Sequence, residues 1–283
     1  MVRDNLSEND WLNATGVRIC AQGSYYNNTN VRQEADMDLR AVHPGIRVEY
    51  APEVFVAVAY APPQLGLSYT GRTFAEVAQG MRREITSELS TKFGPLNVDA
   101  SGNKAIRLKK QPGSRADVDI VPTFRYYWVT WNSFTHSCAV TKGVTILGKN
   151  GLWTDNFPEQ HHTNGIWKWD RTRQRFKKYV RIFKRLRDEL VKSGQLTSKQ
   201  VPSFLVECLT YAVEDVYFLV EEDDRYDRAR RILARLEALL NDTTWVSTAT
   251  EINGVKPLFR GAQPWTIEDA KVFVRAARQR LEF

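Results

Sequence analysis

The chain has 283 residues, 42% hydrophobic and 26% charged, enough for one large domain or two closely joined lobes. No apolar run approaches the roughly 18 residues that span a bilayer, and VRDNLSEND after Met1 lacks the basic-then-apolar pattern of a secretory leader. A net charge of +7 points to polyanionic partners, nucleic acid or nucleotide phosphates, and the cytoplasm is the expected compartment. Three cysteines without CxxC spacing argue for reduced thiols, with Cys20 and Cys208 read as small core residues. The pair His161-His162 has no Cys/His cluster beside it, which argues against structural zinc.

In chain order, VRICAQGS reads as a short strand, with Val17, Ile19 and Ala21 on one face, broken at Gly23. ADMDLRAV is a second strand, with Met37, Leu39 and Ala41 on one face and Asp36, Asp38 and Arg40 on the other. Residues 52–72, rich in Pro and Gly, are expected to form strand plus loop. Thr73 opens a helix: Thr73 and Glu76 have capping-box spacing, Phe74, Val77, Met81, Ile85 and Leu89 form an apolar stripe, and Gly94-Pro95 ends it. Strand-like pieces follow at 105–110, 116–124 and 125–131. Beyond about residue 165 the pattern turns helical, at roughly 171–192, 203–219, 225–240 and 266–281, the last capped by Thr266. The expected class is therefore α+β. Residues 1–165 form a mixed-sheet lobe and 166–283 a helical lobe packed on it, the two sharing a cleft with no flexible linker.

Residues 23–38, GSYYNNTNVRQEADMD, carry the chemistry. Asp36 and Asp38 lie two apart on a strand, so both side chains share a face about 7 Å apart. Asp117 and Asp119 form another such pair. Taken alone, each pair also fits the solvent face of an edge strand. Together, carboxylates on adjacent strands would repel unless a divalent cation sits among them, and oxygen ligands of this kind suit Mg²⁺. The preceding Gly-Ser can approach and hold phosphate oxygens. Such a set fits nucleotidyl transfer, with two ions flanking the reacting phosphorus. Residues 171–187, RTRQRFKKYVRIFKRLR, hold nine basic side chains. They read as the solvated face of an amphipathic helix, part of which lines an anion site.

These residues resemble the DNA polymerase β-like nucleotidyltransferases. The wording GSYxNxTNVR, then DxD, then VDIVP, then Phe-Lys in a basic helix, then PSFLVECL, resembles the bacterial cGAS/DncV-like nucleotidyltransferases. NFPEQHHTNG and RFKKYVRIFK are most similar to the clade called E. The likeness runs from about residue 15 to the C-terminus.

The resemblance implies a metal-dependent synthase of a cyclic dinucleotide messenger, acting in anti-phage CBASS operons through a separate effector. On it, Gly23 and Ser24 would hold the donor triphosphate. Asp36, Asp38 and Asp119 would bind two Mg²⁺, with Mn²⁺ as a possible substitute. Asp119 is chosen over Asp117 because it directly precedes Ile120-Val121-Pro122. Lys184 and Ser203 match contacts to donor phosphates. Asn156 matches a nucleobase position that in this clade goes with uracil, a carboxamide offering both donor and acceptor, so the expected substrates are UTP and ATP. The implied product is cyclic UMP-AMP or cyclic di-UMP, and neither membrane nor nucleic acid is required. Ala35 stands where Ser is frequent, and only 22 residues precede Gly23, so NLSENDWLN reads as the last turns of a longer family helix.

Two other readings compete. One is a nucleotidyltransferase that makes linear products or modifies an RNA or protein end. The other is a non-catalytic basic module that binds nucleic acid through the 171–187 helix, which explains the charge but not the acids.

Overall fold

The structure is a computed structural model that describes residues 1–31, 36–57, 71–221, 224–261 and 263–282. It is α+β, and the chain separates into two compact units: Met1–Tyr25 with Ala35–Pro158, and Tyr26–Glu34 with Glu159–Phe283.

Among the described residues, the first unit is built on a seven-stranded mixed sheet. Strand β1 (Arg18–Gln22) runs antiparallel to β2 (Met37–Tyr50), and β2 runs parallel to β5 (Val118–Asn132). On the far side of β5 lie β4 (Ile106–Leu108), itself paired with β3 (Val98–Asp99), and β6 (Ser137–Leu147), which carries β7 (Trp153–Asn156). The pieces expected at 116–124 and 125–131 are one strand with Pro122 inside it. Proline lacks a ladder donor, and Pro122 falls where the partner changes, β4 pairing as far as Ile120 and β6 from Phe124.

One face of this sheet is covered by α5 (Phe74–Phe93), whose start and stop follow the expected chemistry. Thr73 Oγ1 accepts from the Glu76 N–H at 3.2 Å while Glu76 accepts from the Thr73 N–H at 2.8 Å. Gly94, at φ +87°, ends the helix in the left-handed region. Met81, Ile85 and Leu89, one turn apart and fully buried, pack over Leu39, Ala41, Ile106, Val118, Ile120 and Phe124. The N-terminal residues form two short helices, α1 (Val2–Ser7) and α2 (Asp10–Ala14), not the end of one. Asn5 and Asn9 tie them to Glu88 of α5 at 3.0 and 3.1 Å. Residues 52–57, expected as strand, form helix α4 (Pro52–Ala57), and the rest of that stretch to residue 70 lies outside the described residues, as does Ala35.

The second unit is helical: α6 (Pro158–Arg171), α7 (Phe176–Lys192), α8 (Ser203–Ala212), α9 (Arg225–Asn241), α10 (Thr243–Thr248) and α11 (Ile267–Arg280). Phe176, Val180, Phe183 and Leu190 of α7 enter a core shared with α8, α9 and α11. Helix α8 is shorter than expected, ending at Ala212 ahead of a separate 3₁₀ turn at Asp215–Phe218. Thr266 caps α11 through a reciprocal pair with Asp269. The basic stretch is not a uniform solvated face, since Lys177, Lys184 and Arg187 are buried. Cys208 is in this core, whereas Cys20 is half-buried and pairs in register with Arg40, off the apolar face. Among the described residues, no helix is long and apolar enough to cross a membrane.

Candidate active site

Alternation on β2 and β5 sends Leu39, Ala41 and Ile120 into the core under α5 and leaves Asp36, Asp38 and Asp119 on the opposite face. The parallel register puts Asp38 directly across from Asp119, and β1 brings Gln22 beside Asp38 on its other flank. Burial, then the charges of Asp119 and Asp36, pushes the Asp38 carboxyl up to about 6. Asp36 is raised too, by burial and then by Asp117, with Arg107 pulling the other way. Asp117 is occupied differently: its Oδ1 accepts the Lys110 backbone N–H at 2.8 Å. Like charges gathered around Asp36 and Asp38 are a setting that a hard divalent cation would relieve.

Arg107, which the sequence did not single out, faces Asp119 from β4. Its Nε and Nη2 donate to Oδ1 and Oδ2 at 2.8 and 2.9 Å, a two-pronged pair. Among the described residues, no three acidic, His or Cys side chains stand as a ready metal cage, and both Asp119 oxygens face this guanidinium. A metal sharing Asp119 would have to share it with Arg107 or displace it. The signal was available locally, because Ile106 and Leu108 are apolar and the alternation turns Arg107 to the acidic face.

Gly23 ends β1 at φ +71° and opens the four-residue helix α3 (Gly23–Tyr26). A Cβ here would lie 2.0 Å from Asp38 Oδ2. Gly23→Ala is therefore expected to push Asp38 out of place, at about 1–3 kcal/mol in stability from strain and clash. Product formation should fall about a hundredfold, since misplacement near 1 Å costs that much. Melting temperature and product yield measured together would check this. Ser24 follows on α3, half-buried.

The remaining expected positions are spread more widely. Asn156 pairs in register with Val144, which pairs with Arg125, so it shares the sheet face of Asp119 but stands two strands over and six residues along β5. Gly143 makes room for it: a Cβ there would meet the Asn156 carbonyl oxygen at 2.6 Å. Ser203 is the exposed first residue of α8. Lys184, expected at the donor phosphates, lies on α7. Its ammonium is buried against Glu207 at 2.6 Å, because an ammonium out of water needs a counter-ion. Glu207 also accepts from Thr29 Oγ1 at 2.9 Å and lies 3.1 Å from His161 Nε2. His162 instead meets Asn27 at 3.0 Å and stacks on Tyr26.

Compared with known proteins, the whole chain adopts the fold of the nucleotidyltransferases. A Rhodothermus marinus c-UMP-AMP synthase, CdnE, solved with Apcpp and Upnpp, superposes at TM-score 0.79 with 22% identity, over 99% of this chain and 88% of that one. Residues 163–282 match the family model of the cGAS/DncV-like nucleotidyltransferase C-terminal helical domain. The cyclic dipyrimidine nucleotide synthase CdnE of Legionella pneumophila is 31% identical over 280 residues, covering 98% of this chain and 88% of that protein. That of Cecembia lonarensis is 28% identical over 100% of this chain and 90% of its own. A cyclic dipurine nucleotide synthase of Elizabethkingia meningoseptica is also 28% identical, over 92% and 83%. The chain belongs to the cGAS/DncV-like nucleotidyltransferases of the CdnE type, metal-dependent enzymes that build cyclic nucleotides from nucleoside triphosphates.

Proposed function

We propose that this chain joins two nucleoside triphosphates, at least one of them UTP and the partner ATP or UTP, into a cyclic dinucleotide. The observation that carries the reading is the register of Asp38 against Asp119, with Asp36 close enough to raise the same carboxyl. Asp36, Asp38 and Asp119 would hold two Mg²⁺, or Mn²⁺, which supply charge neutralisation at the α-phosphorus. Gly23 keeps the backbone clear of Asp38, and Ser24 and Ser203 hold phosphate oxygens of the donor. A ribose hydroxyl of one nucleotide attacks the α-phosphorus of the other, a P–O bond forms, and pyrophosphate leaves. A second such attack closes the ring and releases a second pyrophosphate. The protein's part is positioning and electrostatics, with no covalent intermediate.

The base assignment is supported by Asn156 and by the names of two relatives that make dipyrimidine products. Relatives named for dipurine and GMP-AMP products share similar identity, so the bases joined are set by the nucleobase pocket and not by overall likeness. Labelled UTP is expected to enter a phosphatase-resistant product, and Asn156→Asp to lower its incorporation about tenfold relative to ATP, a change of one hydrogen-bonding pair. Incorporation of ATP or GTP alone by the wild-type protein would remove the uracil role. Action in the cytoplasm, within a CBASS operon and through a separate effector, completes the proposal on the family resemblance.

A further inference from the structure

A row of polar side chains crosses the sheet of the first unit on the face opposite α5. In register, it runs from Asp99 on β3 through Arg107 on β4, Asp119 on β5 and Asp38 on β2 to Gln22 on β1. Directly opposed residues on neighbouring strands share a face, with Cβ atoms about 5 Å apart. Arg107 is the one cation of this row, and it stands between two acids. The backbone beneath it is fixed, because Ile106 and Leu108 on either side are fully buried. Its side chain is 48% exposed, so the guanidinium can turn without disturbing the core.

The two flanking acids are held differently. Asp119 gives both oxygens to Arg107, at 2.8 and 2.9 Å. Asp99 is exposed and is met by a neutral group, the Ser101 N–H donating to its Oδ1 at 2.9 Å. A carboxylate has about four lone-pair sites, so a second ligand could join Arg107 on Asp119. A divalent cation and a guanidinium on one carboxylate repel, however. Asp99 offers the guanidinium another anion one strand away, on the same face.

We propose that Arg107 is a positioning residue with two stations: it clamps Asp119 while the acids hold no divalent cation, and turns to Asp99 when they do. This rests on the three-acid metal site proposed above. The clamp fixes the Asp119 side chain and offsets its repulsion of Asp38, which lies opposite it on the other flank. The same clamp competes with a cation, since a two-pronged, charge-assisted partner has to yield before Asp119 is shared. Metal affinity is therefore set in part from β4, by a residue outside the three ligands.

The test measures Mn²⁺ binding, read from the paramagnetic resonance of the free ion, together with melting temperature with and without Mn²⁺. Arg107→Met is expected to bind Mn²⁺ at least about fivefold more tightly than wild type. It should melt below wild type without metal, the gap closing as Mn²⁺ is added. Arg107→Lys keeps the charge but loses the fork, and should bind about threefold more tightly than wild type. Asp99→Asn should bind about threefold more weakly, and this loss should vanish in the Arg107→Met background, where no guanidinium is left to move. Unchanged or weaker binding by Arg107→Met overturns the clamp and makes Arg107 a structural tie. Arg107→Lys binding as wild type does overturns it too, leaving only the field of a positive charge. An Asp99→Asn loss that persists without Arg107 removes the second station. A wild type that takes up no Mn²⁺, with or without a non-hydrolysable UTP analogue, overturns the three-acid site itself, a failure distinct from that of Arg107.

Discussion

Asp38→Asn is expected to abolish product formation, by at least about a thousandfold or roughly 4 kcal/mol of transition-state stabilisation, while making the metal-free fold more stable. Both effects have one cause. Asp38 sits half-enclosed, in register with Asp119 and near Asp36, and its pKa is raised to about 6 from an ordinary carboxylate value. An acid whose folded pKa lies above its unfolded one favours the fold at low pH and loses that contribution as pH rises through the raised value. The charged form therefore costs the fold on the order of 2–3 kcal/mol above about pH 6. The amide escapes this cost, so the stability gain of Asp38→Asn should be present at pH 8 and gone below about pH 4. Mg²⁺ should raise the melting temperature of wild type at pH 8 and leave that of Asp38→Asn nearly unchanged. A variant with full activity, or one that melts lower at pH 8, would contradict the placement of Asp38 among like charges.

Glu207→Gln should lose about 3–5 kcal/mol of stability, the largest structural loss expected in the helical unit. The carboxylate is buried with Lys184, Thr29 and His161 as its partners, and the amide would leave the Lys184 ammonium without a counter-ion. Burial by itself would push Glu207 up, but Lys184 and then His161 outweigh it and hold the carboxyl near about 2. A depressed acid stabilises the fold above its unfolded pKa and loses that as pH falls toward the folded one. Wild type should therefore lose this contribution between about pH 4.5 and 2, and Glu207→Gln should lack that slope. Replacing both charges, with Lys184→Met and Glu207→Leu, should recover much of the loss, since the penalty comes from the unpaired survivor. Melting curves across pH decide it, and a Glu207→Gln protein as stable as wild type would remove the network from the account.

What was legible in the sequence was mostly local. The Thr73/Glu76 and Thr266/Asp269 boxes act over three residues, and the Asp36/Asp38 alternation over two, so short-range rules found them. The register of Asp38 against Asp119 joins residues about eighty apart, and no local pattern specifies it. Helix α6 was missed although Asn156-Phe157-Pro158 offers proline at a first helical turn, because Gly165 and the half-exposed Trp167 obscure its apolar stripe. Helix α4 was hidden by β-branched residues in a stretch rich in Pro and Gly. The basic helix was recognised as a helix, but which of its cations are solvated and which are paired depends on α8 and the Tyr26 segment, which meet it only in the folded chain. For Arg107 the alternation gives the face locally, but its pairing with Asp119 is known only once β4 finds β5.

The central claim is that acids from β2 and β5 make this chain a synthase of a closed dinucleotide. Incubation of the wild-type protein with the four nucleoside triphosphates and Mg²⁺ or Mn²⁺, followed by phosphatase and a mass spectrum, tests it most directly. The expected species has the mass of two nucleoside monophosphates less two waters, contains uracil, and is missing with Asp119→Asn. A phosphatase-sensitive linear product, or a cyclic one made equally well by Asp119→Asn, would contradict it.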